Sequence, residues 1–423
     1  MTAFDVEVRR LENGLTVVLA PDRATPIVAV NLWYGVGSRN EARGRTGFAH
    51  LFEHMMFQGS EHVPKGGHFE LVEQAGGSAN ASTWFDRTNY YETLPAHHLD
   101  LALWLESDRM GWLLPAMDQE KLDNQRDVVR NERRQRYDNQ PYGDWDERIH
   151  AMTFPPDHPY HHSVIGSMED LAAASLEDVE GFCRTYYRPN NAVLTLAGAF
   201  DREDGFQRVA RYFGDLPGGD EPPPLPGNPE VGARIEGTRA QRVRSSVPLP
   251  RVYVAARIPS FTDPGFYAAD VASSVLGDGR ASRLYRRLVR EERVARDVVA
   301  FALPLVTGRS LFVAWATGLP GTDPETLEGA LGREINGLGD VRSEEVERAV
   351  ALSETAVVRR VEQLAFRADL LSMQQMLFGD AARLNTEVER IRAVTAADVR
   401  ALAGSALVPE NRVTLTYVPE DER

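Results

Sequence analysis

The stretch that most limits the fold lies mid-chain: Asp215-Leu-Pro-Gly-Gly-Asp-Glu-Pro-Pro-Pro-Leu-Pro-Gly227. Proline removes amide donors and fixes φ, and the glycines and acids add no apolar surface, so this segment cannot build a core and reads as an extended connection. It divides a chain of 423 residues, too long for one ordinary core, into two stretches of similar length. The elements on its two sides follow a similar order. Residues 1–214 therefore read as one α+β domain, 215–230 as a linker and 231–423 as a second α+β domain. Each is a mostly antiparallel sheet packed with helices, as in a duplicated unit.

In the first half, strands are expected at 6–11, 15–19 and 27–34, the first two joined by the hairpin signal Asn13-Gly14. Helices follow from Gly47 and over 67–74, the second stopped by Gly76-Gly77. Segments 78–83 and 89–93 fit a hairpin. Helical periodicity returns over 96–112, 118–137, 176–187 and 201–213, with a strand at 192–197. In the second half, strands are expected at 241–247, 251–258, 298–303, 311–317 and 412–417. Helices are expected at 266–276, 281–292, 323–336, 396–403 with Thr395 as N-cap, and as one long helix over 343–378.

A charged fraction of 26% with 43% hydrophobic residues is that of a soluble globular chain. The net charge of −15 and the lack of a basic cluster exclude a nucleic-acid partner. Cys183 is the single cysteine, which excludes an internal disulfide and a cysteine-built zinc site. The N-terminal residues carry no apolar signal region and no segment is long and uncharged enough to span a bilayer, so a cytoplasmic chain without membrane contact is expected.

The chemistry concentrates in GFAHLFEHMMFQGS, where His50, Glu53 and His54 fall within one helical turn. Residues four apart project from the same helix face, so both imidazoles can reach one ion, and Glu53 flanks that face. A catalytic zinc site needs three protein ligands and an open fourth position. The third ligand has to come from elsewhere. A second group, His158-Pro159-Tyr160-His161-His162, fits either another metal site or a rigid structural loop; it lacks a nearby companion carboxylate, which favours the loop.

The HxxEH order and the arrangement over the whole chain resemble the pitrilysin/insulinase metallopeptidases, the inverzincins. Among them it resembles the short two-domain bacterial and mitochondrial-processing-peptidase type. The resemblance implies a zinc endopeptidase with one Zn2+ per chain, Glu53 as general base, and a chain that forms half of a clamshell. It places the third ligand on Glu132, in a charged helix where the residues alone indicate only a solvated glutamate. Family members often carry another glutamate seven residues earlier; here that position is Gln125, which lowers the charge behind the ligands.

Asn80, Ala81, Ser82 and Thr83 match the family's substrate strand, an edge whose open backbone groups an extended peptide can join. An ordinary sheet edge is the alternative. Relatives also hold the substrate carbonyl with an arginine and, seven residues on, a tyrosine. Alignment puts Val289 and Arg296 there, so the pair is missing unless Arg290 or Arg293 replaces the arginine. This implies a heterodimer with a homologous subunit that lacks HxxEH and supplies the pair, with a homodimer as the alternative. The substrate is a peptide, in general turnover or in dedicated removal of leader or presequence segments. A non-catalytic peptide-binding or scaffold subunit is the reading from another class.

Overall fold

In the computed structural model, which describes residues 3–420, the first half runs β1 (Glu7–Arg10), β2 (Thr16–Pro21), β3 (Ile27–Tyr34), α1 (Phe48–Met55), α2 (Gly67–Gln74), β4 (Ser78–Thr83), β5 (Thr88–Pro95), α3 (Leu99–Trp112), α4 (Gln119–Arg133), α5 (Trp145–Thr153), α6 (Met168–Ala173), α7 (Leu176–Tyr186), β6 (Ala192–Gly198) and α8 (Arg202–Phe213). The second runs β7 (Ala240–Ser245), β8 (Arg251–Ile258), α9 (Phe266–Gly277), β9 (Ala295–Leu303), β10 (Ser310–Gly318), α10 (Pro324–Asn336), α11 (Ser343–Glu362), α12 (Leu364–Phe378), α13 (Glu387–Arg392), α14 (Ala396–Ser405) and β11 (Arg412–Pro419).

The strands form two mixed sheets, ordered β1-β2-β6-β3-β5-β4 and β7-β11-β8-β10-β9. In the first, β2 and β6 are parallel and every other pair is antiparallel. In the second, β7 and β11 are the parallel pair. Setting β2, β6, β3, β5 and β4 against β7, β11, β8, β10 and β9 reproduces both the order and the sense of every pairing. The α+β unit is thus duplicated, with β1 added to the first copy.

The chain forms two compact units, and they are not its two linear halves. Unit 1 takes the described residues up to Asn131, Ser163–Pro226 and Val358–Glu387; unit 2 takes Glu132–His162, Gly227–Val357 and the described residues from Val388 on. The reason lies in the sheets. Helix α12 packs on β3 and β6, while α5 packs on β8 and β11, the equivalent strands of the other copy. Each half therefore contributes a helix that covers the other half's sheet. A partition at 215–230 alone does not contain this exchange, although the cut between Pro226 and Gly227 falls within that connection.

In unit 1, β3 is the strand most affected. Val28, Val30, Leu32 and Tyr34 are buried, and so are Ala29, Asn31 and Trp33 on the opposite face. Trp33 Nε1 donates to Asp369 of α12 at 2.8 Å, Asn89 donates to the same carboxylate at 3.0 Å, and Thr195 and Ser372 share a hydrogen bond of 2.7 Å. These polar pairs fix how α12 lies on the sheet, because a shifted helix would leave each of them buried and unpaired. In unit 2, Val252, Val254, Ala256 and Ile258 of β8 pack with Ala269, Ala272 and Val275 of α9 and with Phe312, Ala314 and Ala316 of β10. The alanines allow the helix to lie close to the strands. Among the described residues no helix is long and apolar enough to cross a membrane.

Candidate metal centre

Helix α1 is amphipathic along one stripe: Phe48, Ala49, Leu51, Phe52 and Met55 are buried, whereas His50, Glu53 and His54 are half-buried. The helix starts at Gly47 with φ +90°, a conformation that suits glycine, and a side chain there would meet the Ile165 carbonyl. Ahead of it, the buried Glu41 accepts hydrogen bonds from the amides of Gly47 at 2.7 Å and Ala49 at 2.8 Å. These are amides that the first helical turn cannot satisfy itself, and the carboxylate also faces the positive end of the helix dipole. Burial pushes the Glu41 carboxyl well above its usual range, against the amides that donate to it. Nothing in the local spacing announces this cap. Glu41→Ala is expected to lower stability in urea denaturation by about 2–4 kcal/mol, with Glu41→Gln losing about half as much. An alanine variant within 0.5 kcal/mol of wild type would remove Glu41 from this role.

Helix α4 brings Glu132 to the two histidines. One ligand atom from each of His50, His54 and Glu132 lies within 4.8 Å of the others, and the two imidazole rings stand 4.9 Å apart at 81°. Ligands on a tetrahedral zinc at 2.0–2.1 Å are about 3.3 Å from each other, so small rotamer changes close the set. Two nitrogens and one oxygen with an open side suit zinc, and the residues fit that ion. The cut between the compact units passes through α4 between Asn131 and Glu132; the same helix carries Leu122 and Val129, both buried. Glu132 also meets Arg136 at 2.7 Å, and that arginine is exposed and can swing away at little cost. Gln125 is buried on α4, seven residues before Glu132, and donates to Asn124 at 3.1 Å.

Strand β4 pairs only with β5 and forms the edge of its sheet. Asn80 is exposed, while Ala81, Ser82 and Thr83 are half-buried. Asn80 Oδ1 accepts from the Ala81 amide at 2.8 Å. Arg87 donates to the Ser82 carbonyl at 2.6 Å and to its hydroxyl at 2.7 Å, and lies over the Trp33 ring. Both α1 and α2 pack against β4. The strand end meets Glu53 directly: the Thr83 hydroxyl donates to Glu53 Oε2 at 2.5 Å.

A second cluster, missed in the sequence, lies buried in unit 1. His68, Glu92 and Glu106 also place ligand atoms within 4.8 Å of one another. A cation is already present there. Arg109 donates Nε to Glu106 at 2.9 Å and forms a second, shorter bond to the same carboxylate, while His68 Nε2 meets Glu92 at 2.5 Å. The cluster is an internal charge network. The histidine-rich loop is likewise structural: His158 Nδ1 accepts from the Tyr160 amide at 3.0 Å, its other nitrogen meets the Pro229 carbonyl at 3.1 Å, and His161 meets the Phe154 carbonyl at 2.8 Å. In unit 2, Val289 packs on the core, and Arg290, Arg293 and Arg296 are exposed, Arg293 in a left-handed turn with φ +55°.

The chain is similar to known peptidases. The family described as "Insulinase (Peptidase family M16)" matches residues 16–164, and "Peptidase M16 inactive domain" matches residues 173–352. His50, Glu53, His54 and Glu132 all fall in the first range. The zinc protease PqqE of Helicobacter pylori is 33% identical over 323 residues, covering 75% of this chain and 71% of that protein. A probable mitochondrial-processing peptidase subunit beta of Arabidopsis thaliana is 26% identical over 317 residues, covering 71% of this chain and 57% of that protein. The crystal structure of a protease from Helicobacter pylori matches with a TM-score of 0.91 at 28% identity, over 99% of this chain and 100% of that one. With both halves matched and a zinc protease as a relative, the chain belongs to the insulinase family of peptidases.

Proposed function

We propose that the chain is a zinc endopeptidase subunit that hydrolyses extended peptides. The observation that supports this most is the convergence of His50, His54 and Glu132 beside Glu53, in the range matched by the peptidase family. Two ring nitrogens and one carboxylate oxygen would hold one ion per chain and leave a position open. Bound there, zinc supplies a Lewis acid that makes a water acidic enough to lose a proton near neutral pH. Glu53 takes that proton as general base and delivers it to the leaving amine as the peptide C–N bond breaks, so its carboxylate is restored at each turnover. Edge strand β4, through Asn80, Ala81 and Ser82, receives the peptide backbone as an added strand. Such pairing accepts unfolded segments and excludes chains already folded. Gln125 leaves the region behind Glu132 without the extra charge that a glutamate would bring.

The Arabidopsis relative is named as a subunit. Val289 and Arg296 stand where the family's arginine and tyrosine are expected, and the developing oxyanion needs donors besides the ion. In this reading the donors come from a homologous subunit without HxxEH, or from a second copy of this chain. The similarity to a processing peptidase favours leader or presequence segments as substrates. Purified chain with zinc and a fluorogenic peptide, assayed alone and with such a partner, tests this. Chelator-sensitive hydrolysis is expected to be weak alone and to rise at least tenfold with the partner, the scale set by one lost oxyanion donor being about 10²–10³. Full activity in a strictly monomeric preparation would remove the partner requirement, and no metal binding at all would favour the scaffold reading.

A further inference from the structure

Strand β4 carries, at its last residue, a group aimed at the base. The Thr83 hydroxyl donates to Glu53 Oε2 at 2.5 Å, and its backbone is held in register with Thr88. The neighbouring strand end is fixed independently. Arg87, half-buried, donates to both the carbonyl and the hydroxyl of Ser82, and the Ser82 hydroxyl donates to Asn89 at 2.7 Å. A threonine is also stiff at χ1, because its branched β-carbon leaves few open rotamers on a pleated strand. The hydroxyl is thus delivered from a rigid position, whereas glutamate has three torsions to settle.

We propose that Thr83 is a positioning residue for the general base: its hydroxyl holds one oxygen of Glu53 and so fixes the carboxylate plane from which the proton is taken. This rests on the peptidase reading above. A carboxylate free to rotate presents its oxygen to the attacking water only part of the time, and a charge-assisted hydrogen bond from a fixed donor removes that freedom. The role differs from backbone pairing along Asn80 and Ala81, since it acts on turnover and leaves peptide capture unchanged. It also gives the edge strand two separable functions, capture of the chain at its start and alignment of the base at its end.

The test is Thr83→Val, which keeps the shape and removes the hydroxyl, beside Thr83→Ser, which keeps the hydroxyl and loses the stiffness. In the full chain, with whatever partner supports turnover, Thr83→Val is expected to lower kcat about 10- to 100-fold. KM, bound zinc per chain and melting temperature should stay near wild type, and Thr83→Ser should recover most of the rate. Placed on Glu53→Gln, the valine substitution should cause no further loss, and the affinity of that inactive pair for a peptide should not change. A Thr83→Val enzyme within twofold of wild type, or one that loses zinc or raises KM instead of lowering kcat, overturns the proposal. Glu53→Gln assayed in parallel separates the cases. If that variant is inactive while Thr83→Val is fully active, only the positioning role fails; if Glu53→Gln retains wild-type rates, the peptidase mechanism itself is wrong.

Discussion

Glu53→Gln is expected to lower kcat by about 10²–10⁴ while leaving zinc content and fold intact. The amide has the carboxylate's shape and still offers an oxygen to the Thr83 hydroxyl, so the position of the side chain is kept. What it lacks is basicity. It cannot take a proton from water, and it has none to return to the amine. His50, His54 and Glu132 are untouched, and the buried stripe of Leu51, Phe52 and Met55 that seats α1 is unchanged. Metal analysis and peptide progress curves on the same preparation check both halves of the expectation. His50→Ala provides the contrast, since it should lose bound zinc together with activity. Turnover by Glu53→Gln at the wild-type rate would take Glu53 out of the reaction.

Arg109→Met carries the largest expected loss of stability, about 3–5 kcal/mol. Arg109 is the counter-ion of Glu106 in a fully buried pair on α3, with Glu92 and His68 beside it. Its guanidinium also lies over the Tyr90 ring at 4.2 Å and the Phe57 ring at 5.1 Å. Desolvation already strains this group: it raises the Glu106 carboxyl above its usual range, lifts Glu92 to about 7 and lowers His68 to about 3. Among the described residues Glu92 Oε2 and Arg109 Nη1 find no hydrogen-bond partner, so the cluster depends on charge balance as much as on individual bonds. Removing the arginine leaves an uncompensated carboxylate in the interior. Removing both partners, as Arg109→Met with Glu106→Gln, should restore much of the loss, because the destabilisation comes from the orphaned charge. Urea denaturation of the two variants decides this, and a single variant within 1 kcal/mol of wild type would sink the argument.

Much of the local structure is written in local signals. The alternation and apolar run over 27–34, the glycine stop after Gln74 and the small residues of 78–83 define β3, α2 and β4 with the observed bounds. Thr395 does cap α14, its side chain accepting from the Asp398 amide. What could not be read is what depends on distant partners. The helix expected over 343–378 breaks at Gln363, which is extended, although no glycine or proline marks the place. The break lets α12 lie on the first sheet, a constraint that enters only through β3 and β6. The helices expected to 137 and over 281–292 give way to wider π-helical turns at Arg134–Asp138 and Tyr285–Glu291, again without a sequence mark.

For the centre, the histidines and Glu53 are legible because one turn of helix carries them. Glu132 is legible only through the family resemblance, since a glutamate amid arginines otherwise reads as surface. Glu41 caps amides six and eight residues on, Thr83 meets Glu53 across 30 positions, and His68 and Glu92 join the Glu106–Arg109 pair from 14 to 41 positions away. Apart from Glu106 and Arg109 on one helix, no helical or strand period links these residues.

The placement of α12 also sets a schedule for synthesis. The last strand of the first sheet ends at Gly198, and the helix that covers β3 and β6 ends at Phe378. At about 5–20 residues per second, the ribosome needs on the order of 10–40 s to make the intervening chain. During that time Trp33, Asn89 and Thr195 lack their partners on α12, and the nascent sheet presents an uncovered face. A chaperone that binds incomplete chains should therefore engage this protein until the second copy has largely emerged, and a ribosome stalled before residue 364 should hold it there.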